Sequence, residues 1–282
     1  MKYEYFFGSR WRQDLCAYLE KNNVSYKILD EVDNVPRFMK FSVWSNHNEC
    51  ESILSDLYKL TGLRPWVQAH YSEKDFSTAE LLTIRPQSIK ICIENIDESF
   101  RYDCCWSYMA DKIEIHKANH EEQIGTIMIK KEPSTTTKTA FWGPDDGGTI
   151  IFADKKVFDL VQKENLKGIF FQDILLKNRK ISEKVFQMLA DHTIQHEDIV
   201  LGRGEREQTC PMCGKKQYAL PDAYQLHLRD AHVYHEIDFF STERIFGDGI
   251  AQPIYLISQR FYQLLKRNKL TAQVDFVPVI LE

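Results

Sequence analysis

Residues 3–29 read YEYFFGSRWRQDLCAYLEKNNVSYKIL and decide the fold of the N-terminal part of the chain. Aromatic side chains occupy alternate positions from residue 3 to residue 7, which predicts a strand. Ser9 is a typical helix-capping residue, and the apolar positions after it fall on one helical face. A helix is therefore predicted from Ser9 to about Asn22. Residues 24–29 alternate again and predict a second strand.

Strands and helices are also predicted after residue 29. The sequence predicts a strand at residues 38–44, a helix between Cys50 and Gly62, and a strand at residues 66–71. This order of elements is typical of the ferredoxin-like arrangement, so residues 1–72 are predicted to form a ferredoxin-like α+β domain. Its helices would cover one sheet face and leave the other face for a partner or for the rest of the chain. A generic α+β layer with another strand order is the alternative.

Residues 73–148 are predicted to form a strand-rich connecting region. A short helix is expected at residues 79–82, ended by the proline at position 86. Strands are expected at residues 88–93 and 124–130. A domain or subdomain boundary is expected at the turn-rich sequence WGPDDGG that ends at residue 148.

Residues 149–282 contain a weak internal repeat and are predicted to form a second α+β domain. A shift of 104 residues places residues 150–171 over residues 254–275. Each copy has an apolar strand, a capping residue (Asp154 or Ser258), an amphipathic helix and a second strand, which predicts two similar strand-helix-strand units. Coincidence of two common patterns is the alternative. If the repeat holds, residues 177–250 are an insertion or linker between two halves.

Residues 177–250 contain the motif of this chain with the most specific spacing. Cys210 and Cys213 are followed, after thirteen residues, by His227 and His232. A helix over residues 223–231 would place the two histidines on nearly the same face. Two thiolates and two imidazoles form a closed tetrahedral set that suits zinc and favours a structural role over catalysis. His235 is the alternative to His232 as the last ligand.

Two resemblances follow from these residues. Residues 210–232 resemble a two-Cys, two-His zinc finger, within a predicted finger segment at 208–235. Residues 148–282 resemble small bacterial immunity proteins encoded beside polymorphic toxins, through a strand, a capped helix, a strand ending in Val-Pro-Val, and the Cys-x-x-Cys-Gly element at 210–214. The resemblance implies a cytoplasmic protein that binds and neutralises a cognate toxin, with zinc as a staple.

The zinc-finger resemblance also implies a second possible role, because that family often reads nucleic acid. The expected finger helix carries Arg229 as its only cation. Residues 201–235 contain five basic and four acidic residues, which offers little counterion release at phosphates. The composition of the finger therefore argues against nucleic-acid recognition, which stays an alternative function.

The composition of the chain argues against a membrane protein and a secreted protein. Lysine and arginine total 36 and aspartate and glutamate total 41, which gives a net charge of −5. No apolar run reaches the roughly 18–20 residues needed to cross a bilayer, and the N-terminus does not resemble a signal peptide. Seven cysteines at irregular spacing do not resemble a secreted disulfide framework, so cytoplasmic localisation is expected.

The function expected from the sequence is a zinc-stapled protein-binding protein of the immunity or antitoxin type, whose partner is a toxin. An enzyme of unrecognised type is a further alternative, but no residue qualifies as a nucleophile or a general base. Oligomeric state is left open.

Overall fold

The computed structural model describes residues 1–29, 37–63, 65–86, 90–95, 99–102, 119–133, 139–144, 150–200, 207–209, 216–218, 225–229, 234–243, 246 and 250–282. The fold is mixed α+β with several sheets. The chain divides into two compact units, Met1–Phe76 and Ser77–Glu282. No helix in the described part is long and apolar enough to cross a membrane.

The first unit, Met1–Phe76, contains one antiparallel sheet and its helices. Its elements are β1 (Lys2–Arg10), α1 (Gln13–Lys21), β2 (Tyr26–Leu29), β3 (Phe38–Trp44), α2 (Cys50–Thr61) and β4 (Trp66–His70). A short helix, α3 (Glu73–Thr78), spans the boundary between the units. The strand order is β2-β3-β1-β4, and every neighbouring pair is antiparallel.

The helix α1 begins later than the sequence predicts. Ser9 and Arg10 still belong to β1, where they pair with Met39 and Phe38. The Ser9 hydroxyl donates a hydrogen bond to the Arg10 carbonyl instead of capping a helix. The predicted Ser9 cap is wrong because β3 extends the pairing of β1 by two residues, which a local capping rule does not detect.

The helices α1 and α2 cover one face of this sheet. Their apolar positions meet the odd-numbered residues of β1 and β3 in a single core, whose buried members are Phe7, Leu15, Leu19, Val24, Met39, Phe41, Val43, Cys50, Ile53 and Leu57. The helix α2 ends at Gly62, whose φ of 69° is a left-handed conformation that glycine adopts without strain.

Most of the described elements in the second unit, Ser77–Glu282, are strands. The helices described in full are α4 (Lys155–Glu164) and α5 (Gln259–Arg267), with a 3-10 turn at His196–Asp198. The strands are β5 (Leu81–Pro86), β6 (Lys90–Ile91), β7 (Phe100–Tyr102), β8 (Asn119–Gln123), β9 (Met128–Ile129), β10 (Phe141–Pro144), β11 (Ile151–Asp154), β12 (Ile169–Leu176), β13 (Ile181–Ala190), β14 (Thr193–Ile194), β15 (Glu207–Thr209), β16 (Lys216–Tyr218), β17 (His227–Leu228), β18 (Phe239–Thr242), β19 (Ile250–Ala251), β20 (Tyr255–Ser258), β21 (Val274–Pro278) and β22 (Ile280–Leu281).

The described strands of this unit form two larger sheets and several small ones. The larger sheets have the orders β6-β10-β11-β13-β12-β9 and β14-β18-β20-β5-β21. The pairs β15-β16 and β17-β22 and the group β19-β8-β7 are separate small sheets. The strands β5 and β10 pair with strands that follow residue 149, so residues 77–148 and 149–282 share one unit.

Two strand-helix-strand segments, β11-α4-β12 and β20-α5-β21, occupy the repeat found in the sequence. The Asp154 carboxylate accepts hydrogen bonds from the backbone N–H groups of Lys156 and Val157 at the start of α4. Ser258 caps α5 in the same way, through the N–H of Phe261. In each segment the two strands lie on either side of one antiparallel strand, which is β13 in the first segment and β5 in the second.

This arrangement corrects two expectations. Residues 177–250 are not merely an insertion, because β13 lies within them and forms the centre of its sheet. The predicted helix at residues 79–82 is wrong, because Leu81 and Leu82 begin β5. Residues 81–84 are all buried between neighbouring strands, and these partners are nearly 200 residues away in sequence.

A buried carboxylate, Asp238, joins the two strand-helix-strand segments. Its side chain is 6% exposed and accepts hydrogen bonds from the backbone N–H of Lys167 at 3.0 Å and from the Ser258 hydroxyl at 2.7 Å. Arg260 donates to the same carboxylate at 3.1 Å and to the Glu164 carbonyl at the end of α4 at 2.6 Å. One side chain therefore fixes the end of the first helix against the start of the second.

Gly168 allows the close approach on which this junction depends. Its φ is 83°, and a Cβ at this position would collide with the carbonyl oxygen of Phe239 and the side chain of Ile237. Glycine is the residue type that combines a positive φ with such contact between backbones.

Replacement of Asp238 by Asn should lower the free energy of unfolding by about 2–4 kcal/mol, because a buried acceptor of three donor contacts loses its charge and gains an opposed donor. Urea unfolding measures the change. Asp159→Asn is the matched control: its carboxylate is 59% exposed and pairs with exposed Lys155, so a loss under about 0.5 kcal/mol is expected. Equal losses in the two variants would contradict the role given to Asp238.

Candidate metal site and open sheet face

The structure describes one of the four predicted zinc ligands. Cys210, Cys213 and His232 lie outside the described residues, whereas His227 and the alternative ligand His235 are described. Among the described residues no group of three histidine, cysteine or acidic side chains is arranged to hold a metal ion. The four-ligand site stays a prediction. The structure describes His227 and residues that lie near the other ligands in sequence.

His227 lies on a strand and not on a helix. It pairs in parallel with Ile280 through β17 and β22, and the N–H of Val200 donates to its carbonyl at 2.9 Å. None of residues 225–229 is helical, so the predicted helix over residues 223–231 is wrong at these positions. Leu226 and Leu228 are buried on either side of His227, and burial of both flanking leucines with pairing to β22 outweighs local helix preference.

The imidazole of His227 is oriented by a carboxylate. Its Nδ1 lies 3.1 Å from Oε1 of Glu282, just after β22. A carboxylate that accepts a hydrogen bond from Nδ1 fixes the tautomer in which Nε2 carries the lone pair. Histidines that bind zinc commonly have this partner, which orients the ring and raises its basicity.

Described residues near the predicted ligands belong to a single hydrophobic core. The residues on either side of the Cys210–Cys213 segment, Thr209 and Lys216, are antiparallel partners in the β15-β16 pair. Tyr218 at the end of β16 is 3% exposed. It belongs to the same core as the leucines that flank His227; the other buried members are Leu81, Ile194, Ile199, Tyr234, Phe240, Phe246, Ile254, Leu256 and Val279.

The alternative ligand His235 has different surroundings. Its side chain is half exposed, and its Nδ1 lies 3.8 Å from Oε2 of Glu80, which is beyond hydrogen-bond distance. The neighbouring Tyr234 is buried and donates a hydrogen bond to the Asp198 carboxylate at 2.8 Å. Burial, followed by this carboxylate, raises the pKa of the Tyr234 hydroxyl above its ordinary value. Tyr234 therefore stays neutral and anchors this segment in the core.

A second candidate site is the sheet face of Met1–Phe76 that the helices do not cover, here called the open face. Side chains alternate along a strand, and the odd positions of β1 and β3 point into the core. The open face therefore carries the even positions of β1, β3 and β4 and the odd positions of β2. In register across the sheet, these are Trp44, Glu4 and Gln68; Ser42, Phe6 and Trp66; and Lys27, Lys40 and Gly8.

Aromatic rings are prominent on the open face. Trp66 is 73% exposed and Trp44 is 38% exposed. Gly8 makes room for the ring of Phe38: a Cβ at this glycine would lie 2.8 Å from the Phe38 ring and 3.7 Å from the Trp66 ring. The ring of Trp44 lies 4.7 Å from that of His70, which is held by the Glu4 carboxylate at 2.9 Å.

Three basic side chains lie on the same face of the sheet as these rings. Lys27 and Lys40 are direct partners across β2 and β3, and Arg10 follows at the end of β1. All three are exposed, and none takes part in an ion pair among the described residues. The acidic residue Glu4 is directed at His70. The open face is thus locally basic although the whole chain carries a net charge of −5.

A concavity lies between the rings and the cations. Its volume is about 640 Å³, and its lining includes Phe6, Gly8, Lys27, Lys40 and Trp66. Sequence reasoning predicted an uncovered sheet face but not the chemistry it carries. The signal was present in the alternation of β1 and β3, where aromatic and basic residues occupy the positions opposite to the core.

No protein-family model, curated protein or solved structure matches this chain.

The orientation of His227 predicts a role for Glu282 in metal affinity. If His227 binds zinc through Nε2, Glu282→Ala should weaken zinc binding about tenfold or more, because the imidazole loses the carboxylate that orients it. Titration of the zinc-loaded protein with a chelator of known affinity measures this change. Glu236→Ala is the control, since the Glu236 side chain is 88% exposed and is paired with exposed Lys167. Identical chelator curves for the two variants would exclude His227 as an oriented ligand.

Proposed function

We propose that this chain is a cytoplasmic, zinc-stapled binding protein of the immunity or antitoxin type, which holds a toxin protein and blocks it without turnover. The zinc ligands are Cys210, Cys213, His227 and His232. The observation that supports the proposal is the burial of residues beside the ligands: Tyr218, on the strand that pairs with Thr209, and the leucines that flank His227 belong to one described core.

In this proposal the zinc ion connects two pairs of strands. The strand β17, which carries His227, pairs with β22 near residue 282, and the pair β15-β16 flanks both cysteines. A zinc ion bound by both segments ties the strand that carries His227 to the β15-β16 pair through its four coordination bonds. Zinc binding then stabilises the folded unit by its own binding free energy.

The toxin-binding role rests on the resemblance of residues 148–282 to immunity proteins. The capped segments β11-α4-β12 and β20-α5-β21 and the Asp238 junction support a rigid body, as binding through surface complementarity needs. We further propose that Met1–Phe76 is a ferredoxin-like domain, which the order β2-β3-β1-β4 supports.

The metal part of the proposal is tested by zinc analysis of the purified chain. One equivalent of zinc per chain is expected, and Cys210→Ser should retain less than about half an equivalent and melt about 5–15 °C lower, because the closed ligand set is broken. Cys92→Ser, at an exposed cysteine of the same unit, is the control and should retain full zinc. Zinc-free wild-type protein, or unchanged melting in Cys210→Ser, would contradict the staple.

The binding part is tested with the product of a toxin-like gene beside the gene for this chain. Co-expression should restore growth of cells that make the toxin, and the two purified chains should form a complex of fixed stoichiometry in size-exclusion chromatography. A toxin that remains active and elutes separately from this protein would contradict the immunity role, whatever the zinc content.

A further inference from the structure

The geometry points to a second binding function: the open face of Met1–Phe76 binds single-stranded nucleic acid, with bases stacked on its aromatic rings and phosphates held by its cations. This function goes beyond the toxin-binding role, since it uses neither the predicted zinc ligands nor the second unit.

The exposed rings supply the stacking surface. Trp66 is 73% exposed, and the Phe38 ring lies over Gly8 beside it. Rings at the surface of the sheet offer flat apolar faces at low entropic cost, because the strand already fixes their position. Unpaired bases of any sequence have such faces, and stacking of this kind is the main source of sequence-tolerant affinity for single strands.

The cations supply charge complementarity to a polyanion. Lys27 and Lys40 are adjacent across the sheet, and Arg10 lies two residues from Gly8 on the same face. Two lysines held side by side repel each other until an anion lies between them. Phosphate is such an anion, and its binding releases counterions from the nucleic acid.

The same residues distinguish nucleic acid from an acidic protein as the occupant. Lysine is depleted from protein–protein interfaces, where arginine and apolar side chains dominate the buried centre. Here Lys40 on the inner strand β3 and Lys27 on the edge strand β2 lie on the same face as the aromatic rings and line the concavity of about 640 Å³. The concavity is open to solvent along much of its surface, so a base and its phosphate can lie on it without entering an enclosed pocket.

The shape of the face selects single strands over duplexes. The major groove of DNA admits a helix or a two-stranded ribbon, whereas the open face is four strands wide. Bases in a duplex are also stacked on each other and cannot reach Trp66 or Phe38. A single strand exposes both base faces and backbone to the rings and lysines at once.

The experiment is a fluorescence-anisotropy titration of the full chain against labelled twelve-nucleotide oligo-dT and oligo-U, at 50 and 200 mM salt. Binding of at least one of them at micromolar protein and low salt is expected. Trp66→Ala should weaken it about tenfold through the loss of one stacking contact. The double variant Lys27→Gln/Lys40→Gln should weaken it and lower the slope of log affinity against log salt by about 1.4.

Two control variants come from the helix side of the same unit. Tyr58 on α2 is 52% exposed and Lys21 lies at the end of α1, so Tyr58→Ala and Lys21→Gln should bind like the wild type. Cys210→Ser should also bind normally, which separates this inference from the zinc proposal. Absence of binding at about 50 μM protein in low salt, equal losses in the control variants, or tighter binding of a labelled poly-glutamate peptide or a twelve-base-pair duplex would overturn it.

Discussion

The described fold depends on one repeated constraint: two parallel strands joined by a helix are held apart by a single antiparallel strand. The strand β3 separates β1 from β2, and β13 separates β11 from β12. The helix returns the chain to the end of the sheet at which the second parallel strand begins. The separating strands β3 and β13 are the next strands along the chain after β2 and β12, whereas β5 lies far earlier in the sequence than β20 and β21.

The same constraint decides which surfaces remain for binding. A helix that connects parallel strands covers one face of its sheet, as α1 and α2 do over the core of Phe7 and Leu57. The uncovered face of Met1–Phe76 carries exposed rings and cations in place of an apolar layer. In Ser77–Glu282, Tyr218 and Leu228, which lie near predicted zinc ligands, belong to one buried core. The two proposed functions therefore use different units and different chemistry.

Features with local causes were predictable from the sequence, and features with distant causes were not. Asp154 and Ser258 cap helices because the capping interaction lies within three residues. The interpretation failed at Ser9, at Leu81 and at His227, where strand pairing with residues about 30 to 200 positions away overrides local preference. Of the candidate sites, the spacing of the cysteines and histidines was readable in the sequence. The neighbourhood of Trp66 and Phe38 was not, because it requires the strand register.

We propose that Cys210, Cys213, His227 and His232 bind one zinc ion that holds their segments to the core of the second unit. X-ray absorption at the zinc edge, on the purified full chain, tests this proposal most directly. Two sulfur ligands at about 2.3 Å and two nitrogen ligands at about 2.0–2.1 Å are expected. A first shell of oxygen and nitrogen without sulfur, in protein that carries one equivalent of zinc, would contradict it.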